Sequence, residues 1–222
     1  MLYLYHKEAG ASTLTLAGDE HRYIFKVRRH KAEDKLHLRN LKDGYLYAYK
    51  VVTIDKRSVV LSLLSQEQLE IRAEKSLHIG WCIIDPKNIE KTLPSLNEMG
   101  VEKITFIYCK RSQKSFKPDF KRLEKILLNS SQQSGRSVMM QLEIMDDLES
   151  FLKKYPESYM LNFSETSISG NDRINTAVVG CEGGFHKDEV ALFEKERIVG
   201  FNTSLILKSE SAVCALVSKI LL

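Results

Sequence analysis

An α/β domain preceded by a small β-barrel is the fold class that this 222-residue sequence predicts. Three observations carry the expectation. From residue 77 onward, strand-like and helix-like stretches alternate, which implies parallel strands joined by helical crossovers. From residue 14 to 64, short stretches of period-two alternation are separated by turn residues at the spacing of a barrel. Between them SQEQLEIRAEKS turns polar and charged, and this shift divides the chain into domains of residues 1–70 and 71–222.

In the first domain LTLAG, KLHLRN, YLYAYKVVTI and VVLSLL read as strands, with turns at Lys42-Asp43-Gly44 and at Asp55-Lys56-Arg57-Ser58. GDEHRYIFKVRRHK interrupts them as a short helix. Asp19 can cap it, and Tyr23, Ile24 and Val27 recur at helical spacing, which leaves Arg22, Lys26 and Arg29 toward solvent. Such a basic helix suits contact with a nucleic-acid backbone, and His21 is either part of that surface or a buried, hydrogen-bonded histidine.

The second domain opens on the strand LHIGWCII. Asp85 and Pro86 then form a cap and first-turn pair for the helix NIEKTLPSLNEMG, which ends at Gly100. Pro94 inside that helix predicts a kink or an early stop. There follow strand KITFIYC, helix FKPDFKRLEKILLNSSQQSG, strand VMMQLEIM, helix DDLESFLKKY, strands SYMLNF and TAVVG, helix KDEVALFEKE, strand RIVGF and helix SESAVCALVSKILL. Neither a Walker phosphate loop nor a GxGxxG fingerprint is present. Kinase, GTPase and dinucleotide dehydrogenase readings are weakened accordingly, and WCIIDPK lacks the glycine-rich loop of a Rossmann methyltransferase.

Composition narrows the partners. Residues 1–72 hold 13 Lys or Arg against 9 Asp or Glu, while residues 73–222 balance at 20 and 20, so the net +4 sits in the first third. A polyanion can dock there, although lysines that only keep a domain soluble would look the same. No apolar run reaches membrane-helix length and the start lacks a signal layout, so a cytoplasmic protein is expected. Cys82, Cys109, Cys181 and Cys214 are widely spaced, three of them in apolar patterns. Reduced packing thiols are therefore expected rather than disulfides or zinc, and no metal site is expected.

The stretch with most chemical content is TAVVGCEGGF. A buried strand stops at Gly180, and a glycine-rich turn leads toward a helix near Lys187. Adjacent glycines can take positive φ and bring bare amides against a ligand, although a tight turn alone explains them equally well. Together with LNEMGVEKI, Arg111-Ser112, QQSGR and LILKSESA, in this order across nearly the whole chain, GCEGGF makes the sequence resemble the RsmE family of the SPOUT superfamily. The family pattern at these places is approximately GPEGGF and ILRxETA, with ELGV, ERS and EQSGR earlier. The family methylates ring nitrogen three of a uridine in 16S ribosomal RNA.

The resemblance implies a SPOUT-type C-terminal domain with a deep trefoil knot, an N-terminal PUA-like RNA-binding barrel, a homodimer, and the small ribosomal subunit as partner. It implies S-adenosyl-L-methionine bound by three loops. On this sequence those are Leu161 to Ser164, Gly180 to Gly184 and Asn202 to Leu207, with Leu161, Asn162, Gly180, Glu182, Gly183, Gly184, Asn202, Thr203, Ser204, Leu205, Ile206 and Leu207 as the implied contacts. The implied catalytic set is Arg111, Arg136, Lys208 and Glu210, with Glu98 orienting a cation. The implied RNA contacts are His21, Arg22, Lys26, Arg29, Lys110 and Lys114.

Methyl transfer to a uracil imide needs in-line positioning, and either a base for its proton or cations for the charge that spreads onto its carbonyl oxygens. Plainer roles exist for each group. Residues 110–125, with seven cations and two acids, can be a solvated face; Arg136 can pair with helix carbonyls near Gly135, and Glu210 with the N-terminus of the last helix. The chain departs from the family pattern at Cys181 for proline, Asn202-Thr203 for Leu-Gly, Lys208 for arginine and Arg28 for leucine. The alternative to an enzyme is a catalytically inactive RNA-binding or ribosome-assembly protein with the same fold.

Overall fold

A computed structural model describes residues 2–169 and 173–222. The chain forms two compact units, Met1–Arg72 with Ser131–Met139, and Ala73–Ser130 with Met140–Leu222. Residues 131–139 thus pack with the first unit, although they follow the start of the second in sequence.

The first unit holds a five-stranded sheet of β1 (Leu4–Tyr5), β2 (Thr13–Ala17), β3 (Leu36–Arg39), β4 (Tyr45–Ile54) and β5 (Ser58–Gln68), in the order β1-β3-β4-β5-β2. All pairings are antiparallel except β1 with β3. Two register shifts between β4 and β5 curl the sheet into a half-barrel of the PUA-like kind. Alternation places Leu14, Leu16, Leu38, Tyr49 and Leu61 in one core. Strand β1 had no signal in the sequence. It is two residues long and is held by Gln132, whose backbone oxygen accepts from Leu2 N at 2.8 Å and whose Oε1 accepts from Tyr5 N at 2.8 Å.

The basic helix differs from expectation in three ways. It consists of α1 (Gly18–Arg22) followed by a π-helical turn, Tyr23–Val27; its N-cap residue is Ala17, so Asp19 does not cap it. The wider π turn shifts the angular positions that follow, and Val27 ends 59 % exposed instead of facing the core. His21 is buried with its ring 5.1 Å from that of Phe25, so it is not an RNA-facing side chain in this structure. Arg22, Lys26 and Arg29 are exposed as expected.

The second unit holds β6 (His78–Cys82), β7 (Lys103–Ile107), β8 (Gln141–Met145), β9 (Tyr159–Leu161), β10 (Thr176–Val179) and β11 (Ile198–Val199) in the order β11-β9-β10-β6-β7-β8. Every pairing is parallel. Its helices are α2 (Pro86–Glu98), α3 (Phe120–Ser134), α4 (Leu148–Lys154), α5 (Lys187–Val190) and α6 (Ser209–Leu221). Asp85 caps α2 by accepting from Lys87 N at 2.8 Å, and the helix continues past Pro94 to Glu98, so the expected early stop does not occur. Helix α3 starts only after Pro118, where Asp119 accepts from Arg122 N at 3.2 Å. Helix α5 is a single turn instead of the ten residues its pattern suggested, because Glu194 is already extended and a 3₁₀ turn follows.

The cysteine expectation is overturned. Cys82 and Cys109 form a disulfide with 5.7 Å between their Cα atoms, while Cys181 and Cys214 are free. Twenty-seven residues separate the pair in sequence, and only the parallel register, which sets Cys82 opposite Ile107, brings them together.

A polar cluster closes the other end of this sheet. His78 Nε2 lies 2.8 Å from Thr105 Oγ1, and Glu143 is paired with Lys103 at 2.6 Å and Lys154 at 2.5 Å. Burial, reinforced by Lys103, lowers the His78 pKa from 6.5 to about 4. The unfolded chain therefore binds a proton that the folded one refuses, and stability falls as pH drops from about 6.5 through 4. Burial alone would raise the Glu143 pKa, but the hydrogen bonds from Lys103 and Lys154 outweigh it and hold the group at about 2. Its contribution, present above the ordinary carboxylate value, is lost between about 4.5 and 2. Thermal unfolding from pH 7 to 3 is expected to show both losses, and His78→Gln to flatten the first. An unchanged slope between pH 6.5 and 4 in that variant would refute the assignment.

Candidate active site

The loops at the C-terminal ends of β9, β10 and β11 enclose a cavity of about 400 Å³. Ligands in parallel α/β sheets bind at this edge because the strands end there and the loops diverge. The lining joins segments that lie far apart in sequence. Leu161 and Asn162 come from the loop after β9, Gly180, Glu182, Gly183 and Gly184 from the turn after β10, and Thr203, Leu205, Ile206 and Leu207 from the segment before α6. Asn202 and Ser204, nominated with them, do not line it.

Close backbone packing positions the first and third of these segments. Gly200 forms a parallel bridge with Ser167, donates its N–H to the Thr166 carbonyl at 2.9 Å and accepts from Ile168 N at 2.9 Å. A Cβ on Gly200 would stand 2.8 Å from the Asn162 oxygen and 3.0 Å from Ser164 N. The Thr203 hydroxyl accepts from Leu205 N at 3.1 Å, so the side chain that replaces glycine ties down its own turn.

The turn after β10 closes through Gly184 N donating to the Cys181 carbonyl at 2.9 Å. Its left-handed residue is Gly184, at φ 66, and not Gly183. Substitution at Gly183 is therefore not opposed by loss of φ freedom; a Cβ there instead meets the Arg111 side chain at 3.3 Å. Arg111, itself exposed, donates from Nη1 to the Gly183 carbonyl at 2.6 Å. Glu189 holds this region. It is 4 % exposed, accepting from Lys110 N at 2.8 Å through Oε1 and from His186 N at 2.8 Å through Oε2, a role that its place in a polar run did not announce. Burial pushes the Cys181 thiol pKa up, which disfavours the thiolate.

The remaining nominated side chains are dispersed. Lys208 is the exposed N-cap residue of α6, and Glu210 sits in its first turn with one carboxylate oxygen buried and without a hydrogen-bond partner among the described residues. Glu98 is exposed at the end of α2, its Oε1 3.4 Å from Ser130 Oγ. Arg136 belongs to the first unit and is buried, donating from Nε to the Val138 carbonyl at 2.8 Å, while its own carbonyl accepts from Tyr3 OH at 2.7 Å. Lys110 is paired with Asp188 at 2.5 Å, and Lys114 is exposed. The cavity also includes Phe163 and Ser164 from the first implied loop, and Phe201, Ser209 and Ala212, which lie outside the three loops the sequence implied. Phe163, in the loop after β9, is 79 % exposed.

Comparison with known proteins places this geometry in context. A family described as an RNA methyltransferase domain matches residues 72–221, and one described as an RNA methyltransferase PUA domain matches residues 16–64. The chain is 40 % identical to ribosomal RNA small subunit methyltransferase E of Helicobacter pylori strain J99, over 99 % of each chain. It is 28 % identical to the protein of the same name from Rickettsia conorii, over 97 % of this chain and 92 % of that one. Among solved structures, ribosomal RNA small subunit methyltransferase E from Neisseria gonorrhoeae, bound to S-adenosyl methionine, superposes with a TM-score of 0.80 at 19 % identity, over 98 % of this chain and 95 % of that one. A Legionella pneumophila methyltransferase in complex with the same cofactor gives 0.79 at 20 % identity, over 98 % and 94 %.

Proposed function

Because the chain belongs to the ribosomal RNA small subunit methyltransferase E family, we propose that it methylates ring nitrogen three of one uridine in 16S rRNA, in the decoding region of the small subunit, with S-adenosyl-L-methionine as donor. The observation that carries the proposal is the single cavity on which the turn at 180–184 and the segment at 203–207 converge. Its residues fit the donor. The volume lies in the range of small-molecule sites, and a Cβ at Gly184 would meet nothing within 4 Å, so the backbone there is open to a ligand. Leu161, Val179 and Leu207 offer apolar wall for a flat base, and loop amides and carbonyls offer donors and acceptors at fixed spacing.

When bound, S-adenosyl-L-methionine supplies an electrophilic methyl group on a sulfonium. The chain's part is to bind, orient and balance charge. Arg111, against the Gly183 carbonyl, is the proposed cation for the charge on the uracil oxygens. Lys208 and Glu210 at the start of α6, with Glu98 and Arg136, complete the proposed set. Arg22, Lys26, Arg29 and Lys114 are exposed cations proposed for RNA backbone contact. Residues 1–70 act as the PUA-like module and 71–222 as the methyltransferase domain. The trefoil knot is proposed on the family resemblance.

The protein is also proposed to be cytoplasmic, where its substrate is, and homodimeric. Light scattering at micromolar concentration should then give twice the 25.5 kDa chain mass, and a monomer refutes the dimer. The decisive experiment incubates the protein and S-adenosyl-L-methionine with small subunits from a strain lacking it, then maps the product by mass spectrometry. One methyl group on a single uridine is expected. No methylation, together with no calorimetric heat on adding the donor, would instead identify an RNA-binding or assembly protein of the same fold.

A further inference from the structure

Three elements of the second unit meet on one hydroxyl group. Ser209, the first residue of α6, is 5 % exposed; its Oγ accepts from Trp81 Nε1 of β6 at 2.9 Å and donates to the carbonyl of Gly180, just past β10, at 2.5 Å. An indole nitrogen only donates and a serine has one hydroxyl proton, so the direction is set: indole to hydroxyl to carbonyl. Trp81 is fully buried, whereas Ser209 and Gly180 both line the cavity.

The turn that begins at Gly180 lacks the proline of the family pattern and so lacks a covalent restraint on φ. Side chains hold its carbonyls instead. Arg111 takes that of Gly183, the Cys181 thiol lies 3.8 Å from that of Gly184, and Ser209 takes that of Gly180. Because a peptide unit is planar, holding the Gly180 oxygen also sets the direction of the Cys181 N–H on the opposite side. The structure assigns to Ser209, backed by Trp81, the role of a positioning residue that sets the 180–181 peptide and with it the cofactor-facing wall of the turn. This inference rests on the S-adenosyl-L-methionine reading of the cavity.

The test compares Ser209→Thr with Ser209→Val in the full-length chain. The two side chains share shape and branching, so a difference between them reports the hydroxyl. Calorimetry with S-adenosyl-L-methionine is expected to show near-wild-type affinity for Ser209→Thr and roughly 10- to 100-fold weaker binding for Ser209→Val, since loss of the hydroxyl orphans a buried N–H and a carbonyl. In steady state KM for the donor should rise in Ser209→Val with kcat little changed. Trp81→Phe should weaken binding less, and adding it to Ser209→Val should weaken it no further, because both remove one relay. Equal affinities for the Thr and Val variants, even with a lowered melting temperature for Val, overturn the assignment. Should Ser209→Val fail to fold, Trp81→Phe decides, and unchanged affinity there also overturns it. A wild-type chain that gives no heat refutes the donor reading itself, and the inference with it.

Discussion

Gly200→Val is expected to yield a protein that binds no S-adenosyl-L-methionine and transfers no methyl group. The added Cβ meets the Asn162 oxygen at 2.8 Å and Ser164 N and O at 3.0 and 3.1 Å, all backbone atoms that no rotamer change can move aside. Even Gly200→Ala should destabilise the second unit by about 1–3 kcal/mol, the usual range for overpacking, and valine by more. Asn162 and Ser164 line the cavity, so any relief by displacement of that loop reaches the ligand. Gly200 is not in the left-handed region, so the effect arises from contact and not from φ. Gly44→Ala is the control: its φ is 74 with open space around it, and only the backbone preference, about 1–2 kcal/mol, is lost. Circular dichroism and donor titration of the three variants check this. Wild-type affinity in Gly200→Val would mean that the loop at 162–164 is not part of the donor site.

Arg111→Ala is expected to lower kcat/KM for methylation of small subunits about 10²- to 10³-fold, the usual effect of removing one donor aimed at developing charge. The melting temperature should hardly move, because the side chain is exposed and substitutions at such positions generally change stability by less than about 0.5 kcal/mol. Arg111→Lys separates charge from geometry. A guanidinium can bond the Gly183 carbonyl through Nη1 and keep other N–H groups for the substrate in a fixed plane, whereas an ammonium lacks that fork. Partial activity, roughly a tenth of wild type, is therefore expected for lysine. Full activity in the alanine variant would remove Arg111 from the site.

Much of the fold could be read directly from residue patterns, because the deciding physics is local. Alternation in TLTLA orients Leu14 and Leu16 inward, Asp85 caps the helix that follows it, and the apolar runs before Pro86 and Gly180 become parallel strands. Elements whose stability depends on distant partners were read wrongly or not at all. Strand β1 exists through Gln132, and the basic helix widened into a π turn that exposes Val27.

For the candidate site, motif order pointed to the three loops, and these converge on one cavity; the roles of their residues await the variants described above. Contacts around the cavity had no comparable signal. Glu189 looked like one more acid in a charged run, Ser209 like an ordinary helix residue, Trp81 like strand filling.

By itself the sequence determined most of the strands and helices, that the chain has a basic barrel ahead of a parallel α/β domain, and which family it belongs to. Tertiary structure alone decided that Cys82 meets Cys109, that Gly184 and not Gly183 is the left-handed residue, that Arg136 is buried in the first unit, and that a serine hydroxyl bridges Trp81 to Gly180. Periodicity and capping act over a few residues and leave their mark in composition, whereas the disulfide and the serine bridge join residues 27 to 128 positions apart, which the arrangement of the parallel strands brings within bonding distance.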